Sequence, residues 1–399
     1  MMTRIDTRPR LPFRRPGVLD PAPMLARLQA AAPVTAVGTA VGDPAWLVTG
    51  YAEARALFAD PRLGRSHPDP DRAARFSRGV LFAGPMGEAE TELADHARMR
   101  RLLAPAFSAR RMRALTHHVT TLVDRLLTAM VDHGPPADLH EALSFPLPVM
   151  VICELLGVPY EDRERFRGWS QGMAGMTDRE AARAAMGCLV GYMHELVEIK
   201  RDRRGEDVVS DLLAAQDREQ VTDEGIAGMA AMLLFAGHET TATRIDFGTL
   251  LLLHHRDQFD ALRADPGLVD GTVEEILRLA SPSSLGGLPR YAHADIDIAG
   301  VHIRAGDAVL LSSSTANRDP DVYTDPERFD ATRGATTHLA FGYGPRYCIG
   351  ASLARVELNA VFAALPRRLP GLHLAVPVGE LRLRTDVFTG GLEALPVAW

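Results

Sequence analysis

Phe341-Gly342-Tyr343-Gly344-Pro345-Arg346-Tyr347-Cys348-Ile349-Gly350 places one cysteine on a glycine-rich loop directly ahead of a run that reads as an amphipathic helix, Ala351 to Leu365. Glycines at 342, 344 and 350 permit positive φ and let the backbone approach a flat ligand where a Cβ would collide with it. Free amides at the start of the following helix point back at the sulfur, and the positive end of that helix favours thiolate over thiol. The loop is built to touch a ligand and to present a thiolate to it. A buried structural cysteine in a turn would account for Cys348 alone but not for the whole decapeptide. A dinucleotide fingerprint would need glycine where Tyr347 stands, inside a strand-turn-helix unit that the sequence does not supply.

Composition narrows the field. The 399 residues could make two or three domains by length, yet no linker, repeat or low-complexity stretch divides them, so one domain over 1–399 is expected. Cys153, Cys188 and Cys348 are odd in number and widely spaced, which fits neither a disulfide framework nor a zinc site and suits a reducing cytoplasm. Met1 to Pro16 is rich in Arg and Pro and lacks the apolar run of a signal peptide or membrane anchor. Net charge is −7 and Lys200 is the only lysine, so the positive charge is nearly all arginine and no basic tail suggests nucleic acid. That bias points to a GC-rich bacterial genome.

Along the chain, residues 1–40 read as a Pro-rich arm and a short helix, Ala45 to Thr49 as a strand, and Tyr51 to Ala59 as a helix. Residues 60–90, with Pro61, Pro68, Pro70, Gly79, Gly84, Pro85 and Gly87, form a loop long enough to be either functional or disordered. Glu92 onward is helical to Pro105, with His96 and Arg100 one turn apart on one face, a pair that suits an anion or simply a solvated basic face. From Met112 to Gly205 the period is helical, with breaks expected at Gly134-Pro135-Pro136, Pro146 and Pro148, and Gly157-Val158-Pro159. Residues 166–190, with Met173, Met176 and Met186, read equally as an adaptable lid or as ordinary packing. The pairs His117-His118 and His254-His255 cannot converge on one ligand from a helix and suit surface or capping roles. Thr222 to His255 reads as one long helix capped by Thr222, with a break expected at Gly237-His238-Glu239-Thr240-Thr241, where polar groups fall in a buried middle. A zinc-protease reading of His238-Glu239 fails because position 242 is Ala, and that of His194-Glu195 fails at Glu198. Arg290 to Leu311 alternates (Ile296, Ile298, Val301, Ile303) as a small antiparallel sheet, and an irregular run then leads to the Cys348 loop.

Taken in order, Phe-Gly-x-Gly-x-(His/Arg)-x-Cys-x-Gly with Leu353-Ala354-Arg355 and Glu357, Ala236 to Thr241, Glu275-x-x-Arg278 and Asp95-His96-Ala97-Arg98-Met99-Arg100-Arg101-Leu102 resemble the signatures of the cytochrome P-450 monooxygenases over essentially the whole chain. The resemblance implies a mainly α fold with small antiparallel β-sheets and a haem (haem b, iron protoporphyrin IX) between the long threonine-containing helix and the Cys348 helix. It implies Cys348 as the axial iron ligand, with Phe341, Gly342, Gly350, Ala236 and Gly237 around the haem. His96, Arg100, Arg290 and Arg346 would bind the propionates, Arg346 standing where many members have histidine. Glu239 and Thr240 would be the acid and alcohol pair governing proton delivery to bound oxygen. Glu275, Arg278 and Arg328 would form a structural triad. The loop at 60–90 would cap the substrate cavity, lined by Met86, Met232, Phe235, Leu288, Phe388 and Thr389.

The activity implied is insertion of oxygen from O2 into a small apolar molecule, by hydroxylation or epoxidation, because a thiolate ligand favours O–O cleavage. A haem sensor or carrier would not need Glu239 and Thr240, whereas a peroxide-driven hydroxylase or an oxidative coupling enzyme would share the fold. The chain carries no flavin, nicotinamide or iron–sulfur motif, so its two electrons come from outside, through a ferredoxin and its reductase. Arg98, Arg101, Arg110, Arg111 and Arg113 read as the docking face for an acidic ferredoxin, or as a solvated arginine face. A cytoplasmic monomer in bacterial secondary metabolism, with no nucleic acid or membrane partner, is the expected setting.

Overall fold

The computed structural model describes residues 8–280, 282, 286–334 and 337–399. The chain opens with α1 (Pro23–Ala31), the hairpin β1 (Val34–Gly38) and β2 (Pro44–Val48), then α2 (Tyr51–Ala59) and β3 (Leu63–Gly64). A helical block follows: α3 (Glu92–Leu103), α4 (Ala109–His133), β4 (Ala137–Asp138), α5 (Pro146–Leu156), α6 (Arg163–Ala174), α7 (Arg179–Asp202) and α8 (Val208–Glu219). Next come α9 (Asp223–His254), α10 (Arg256–Ala264), α11 (Val269–Leu279), and strands β5 (Leu288–Ala292), β6 (Ile296–Ile298), β7 (Val301–Ile303) and β8 (Ala308–Leu311). Short α12 (Ser313–Ala316), the loop to α13 (Ala351–Arg368), β9 (His373–Leu374) and β10 (Pro396–Ala398) complete it.

The main sheet runs β1-β2-β8-β5-β3 and has its own small cores. It is not purely antiparallel as expected: β2 pairs with β8 in parallel, Trp46 opposite Val309. Strand β1 was not legible in the sequence, where Val34 to Gly38 follows a Pro-rich arm. The break expected at Pro146 and Pro148 falls where α5 begins, and both prolines sit in its first turn, which has no use for the missing N–H.

Helix α9 is the centre of the helical block and lies against α5, α7, α8, α10, α11 and α13. Thr222 caps it, its hydroxyl accepting from Gly225 N at 3.1 Å. The expected break at 237–241 does not occur. The hydroxyls and the His238 ring find partners one turn back: Thr240, Thr241 and Thr243 hydroxyls donate to Ala236, Gly237 and Glu239 carbonyls at 2.9, 3.3 and 2.8 Å, and His238 Nδ1 meets Leu234 O at 2.6 Å. Two glycines set how closely neighbours cross α9. A Cβ on Gly237 would lie 2.8 Å from the Ile152 side chain of α5, and one on Gly248 would lie 2.4 Å from Phe362 of α13 and 2.9 Å from Ile276 of α11.

The irregular run after α12 is tied down by one buried ion cluster. Arg278 donates from Nε and Nη2 to Glu275 at 2.7 Å each, and from Nη1 to the Asn317 and Pro326 carbonyls at 2.9 and 2.6 Å. The side chain that completes it is Arg333, whose Nε is 3.1 Å from Glu275 Oε1, and not Arg328. Arg328 is exposed and supplies only its carbonyl to Arg278, at 3.2 Å. Spacing alone could not choose between two arginines on the same irregular segment. Arg278→Ala is expected to cost about 3–5 kcal/mol by stranding a buried carboxylate, and Arg328→Ala under about 0.5 kcal/mol. Urea unfolding of the two variants checks this; equal losses would contradict it.

Candidate active site

The Cys348 loop owes its shape to two of its three glycines. Gly342 and Gly344 adopt φ of +72° and +73°, and a Cβ on Gly344 would sit 2.8 Å from Ala59 Cα. Gly350, at φ −84°, needs no such freedom, contrary to expectation. The turn closes through Cys348 N to Phe341 O (2.9 Å) and Tyr347 N to Gly344 O (3.0 Å). Cys348 is exposed, whereas Cys153 is sealed in the core, where burial pushes its thiol up to about 12. The protein around Cys348 raises its thiol by desolvation, while the Gly350 amide, Arg100, Arg355 and the Ala351 amide pull the other way. Arg355 forms a bidentate pair with Glu274 (2.6 and 2.9 Å) and lies 4.8 Å over the Phe341 ring, bracing the loop from behind.

On α9, most side chains from Ile226 to Leu252 are buried, yet Met232, Ala236 and Thr240 are exposed. These positions recur at i+4 and form one open stripe on a helix otherwise enclosed. Glu239 lies off the stripe, 3% exposed, its Oε2 accepting from Arg384 at 3.2 Å and Thr389 at 3.3 Å. Burial lowers the neighbouring His238, so it is neutral. One turn beyond Thr240, a cavity of about 150 Å³ is lined by Arg244, Leu288, Ala340 and Phe388, joining α9 to the lead-in of the Cys348 loop.

A half-buried cationic cluster adjoins. Arg100 Nη1 donates to Tyr347 O at 2.6 Å. Arg346 meets Glu92 Oε1 at 2.5 Å. Arg290 is depressed to about 9 by burial, Arg65 and Arg346, and His96 is lowered by burial, Arg346 and Arg100. The four expected propionate residues thus share one neighbourhood, together with Arg65 and Glu92, which sequence reasoning missed. Both lie where helical or strand period gives no signal, Arg65 on the long loop and Glu92 in the first turn of α3. Burial by itself would raise the Glu92 carboxyl; the Ser66 hydroxyl and amide, the Arg65 amide and Arg346 outweigh it and hold the group below 4.5.

Of the expected substrate contacts, Leu288 and Phe388 line the small cavity and Met232 lies on the stripe. Phe388 stacks on Phe82 at 4.2 Å, Met86 Sδ is 2.8 Å from Arg65 Nη2, and Thr389 holds Glu239. Phe235 is 3% exposed in the main core, a third of a turn from the stripe, and Gly237 faces Ile152. Met173 is likewise packed in the core. The expected ferredoxin face is less cationic than the sequence suggests. Asp95 lies 3.6 Å from Arg98, and Glu219 at 3.0 Å from Arg101 and Asp211 at 2.7 Å from Arg111 flank a groove of about 670 Å³ that Arg110 also lines.

The arrangement fits an anionic, planar, metal-bearing group. Four arginines and a histidine face a single acid, Glu92, so the cluster needs further negative charge, and an exposed sulfur and the open stripe at Ala236 and Thr240 leave room for a flat body. A mainly helical fold with such a site is the one expected of a haem-thiolate oxygenase. A sequence profile of the cytochrome P-450 family matches residues 166–369. Pentalenolactone synthase of Streptomyces exfoliatus is 44% identical over 98% of this chain and 99% of its own. The cytochrome P-450 monooxygenase PikC of Streptomyces venezuelae is 42% identical over 95% and 91%. The substrate-free structure of PimD, a polyene macrolide antibiotic pimaricin epoxidase, superposes with a TM-score of 0.89 at 41% identity, covering 99% of this chain and all of that one. The chain belongs to the cytochrome P-450 family and is a monooxygenase, an oxidoreductase that incorporates molecular oxygen. Among the described residues no helix is long and apolar enough to cross a membrane.

Glu92 gives a pH-dependent test. A carboxyl held low contributes stability that is complete above 4.5 and lost as pH falls through its folded value. The urea midpoint of wild type should therefore drop more steeply below pH 4.5 than that of Glu92→Gln, which starts lower. Parallel declines would contradict the assignment.

Proposed function

We propose that this chain hydroxylates or epoxidises a small apolar molecule of bacterial secondary metabolism, with haem b seated between α9 and the Cys348 loop. The observation that carries the reading is the pairing of an exposed, amide-facing cysteine with the open stripe Met232, Ala236, Thr240 on a buried helix. Cys348 would be the axial ligand, and His96, Arg100, Arg290 and Arg346 would hold the propionates. When bound, haem supplies O–O bond cleavage and oxygen-atom transfer, which a thiolate ligand favours.

The protein's part is binding and proton handling. Thr240 Oγ1 donates to Ala236 O and keeps its lone pairs toward the open side, where it can position a water. Glu239 is the adjacent titratable group, held by Arg384 and Thr389 until it exchanges a proton. A peroxide-driven enzyme would need neither, so the pair favours O2 as oxidant. The setting in secondary metabolism follows the relatives' names, which concern pentalenolactone and a polyene macrolide antibiotic. Electrons would arrive from a ferredoxin and its reductase in the cytoplasm, with the chain as a monomer.

Cys348→Ala is expected to abolish the carbon monoxide band that gives the family its name; a retained band would refute the ligand assignment. Thr240→Ala is expected to keep haem and substrate binding while diverting reducing equivalents to peroxide. Product formed per NAD(P)H consumed measures this, and an unchanged ratio would remove Thr240 from proton delivery.

A further inference from the structure

Arg65 stands where the long loop leaves β3, and its two ends do different things. Its amide donates to both Glu92 oxygens, at 2.7 and 3.0 Å, fixing the backbone beside the cationic cluster. Its guanidinium has softer company: Met86 Sδ at 2.8 Å and the face of Phe82, with Cζ 3.9 Å from the ring centroid. A thioether is a weak acceptor and a ring face a weak counter-charge, so this largely enclosed cation has no carboxylate or carbonyl partner for its side chain among the described residues. Glu92, the nearest acid, is already shared by Ser66, the Arg65 amide and Arg346.

Phe82 in turn stacks on Phe388, 4.2 Å apart and 12° from parallel. That stack belongs to a lace of three segments. Arg78 N donates to Met176 O at 3.1 Å, Met176 N to Asp386 O at 2.9 Å, and Phe388 N to Ala174 O at 2.8 Å. The long loop, the α6–α7 junction and the C-terminal turn are thus stitched together directly above the guanidinium.

We propose that Arg65 joins the cofactor seat to the lid: one side of its guanidinium takes a haem propionate while the other holds Phe82 and Met86, so the long loop closes firmly only over a loaded site. This rests on the haem reading above. An unfilled guanidinium is free to turn from the Phe82 face toward solvent or Glu92, which loosens the Phe82–Phe388 stack. A propionate on its far edge fixes the plane of the fork and with it the ring.

The test uses the full-length holoenzyme, with haem transfer to excess apomyoglobin and amide hydrogen exchange of residues 76–88 and 386–389 as readouts. Arg65→Gln is expected to lose haem about tenfold faster or more, the scale of a lost charge-assisted hydrogen bond, and to lose protection in both segments. Phe82→Leu, which keeps the guanidinium, should lose the protection while releasing haem faster than wild type and more slowly than Arg65→Gln, since the coupling acts in both directions. Arg65→Lys, which keeps the charge but not the planar face, should retain haem better than Arg65→Gln and still lack full protection. Wild-type haem loss in Arg65→Gln would overturn the proposal, as would wild-type protection in Phe82→Leu. The carbon monoxide band is recorded throughout: its absence in wild type would sink the haem reading itself, while its presence with unchanged haem loss in Arg65→Gln would sink only the role of Arg65.

Discussion

A helix of 32 residues can run through the middle of a protein only if nearly every face finds a neighbour, and α9 meets that constraint with two glycines and a set of inward-turned hydroxyls. Gly237 lets α5 approach and Gly248 lets α13 approach, so the helix that follows Cys348 is located by contact with the helix that carries Thr240. The one strip left open, Met232 to Thr240, is therefore informative. Packed neighbours cover the rest, so an open strip on a helix otherwise enclosed leaves space for a ligand in the interior of the fold.

Charge organises the opposite side. Arg65, Arg100, Arg290 and Arg346 come from four separate elements, and Glu92 satisfies only part of their demand. Cations are gathered this way against their mutual repulsion when an anion is to be bound in their midst. Behind the Cys348 loop the demand is met from within: Arg355 has Glu274, while Arg278 and Arg333 share Glu275 and spend their other N–H groups on backbone carbonyls, which fixes geometry. Clusters satisfied from within brace the site; the one short of acceptors is the one proposed to bind.

Local chemistry was legible where it repeats a local rule. Tyr51–Ala59, the Thr222 cap and the Cys348 loop could all be read because capping, periodicity and glycine spacing act within a few residues. What could not be read was decided over distance. Arg333 displaces Arg328 because of how the run after α12 folds back on Glu275, and Arg65 matters only once Glu92 and Phe82 are brought to it. The expected break in α9 failed for a different reason: a threonine hydroxyl can bond its own i−4 carbonyl, so a buried polar residue need not disturb its helix.

The parallel pairing of β2 with β8 joins Trp46 to Val309 across roughly 260 intervening residues. On the ribosome the N-terminal hairpin must therefore wait, one edge bare, until nearly the whole helical block has been made. Sheet closure is a late event in the life of the chain, and the outer edge of β2 is where a stalled or truncated product would find the wrong partner.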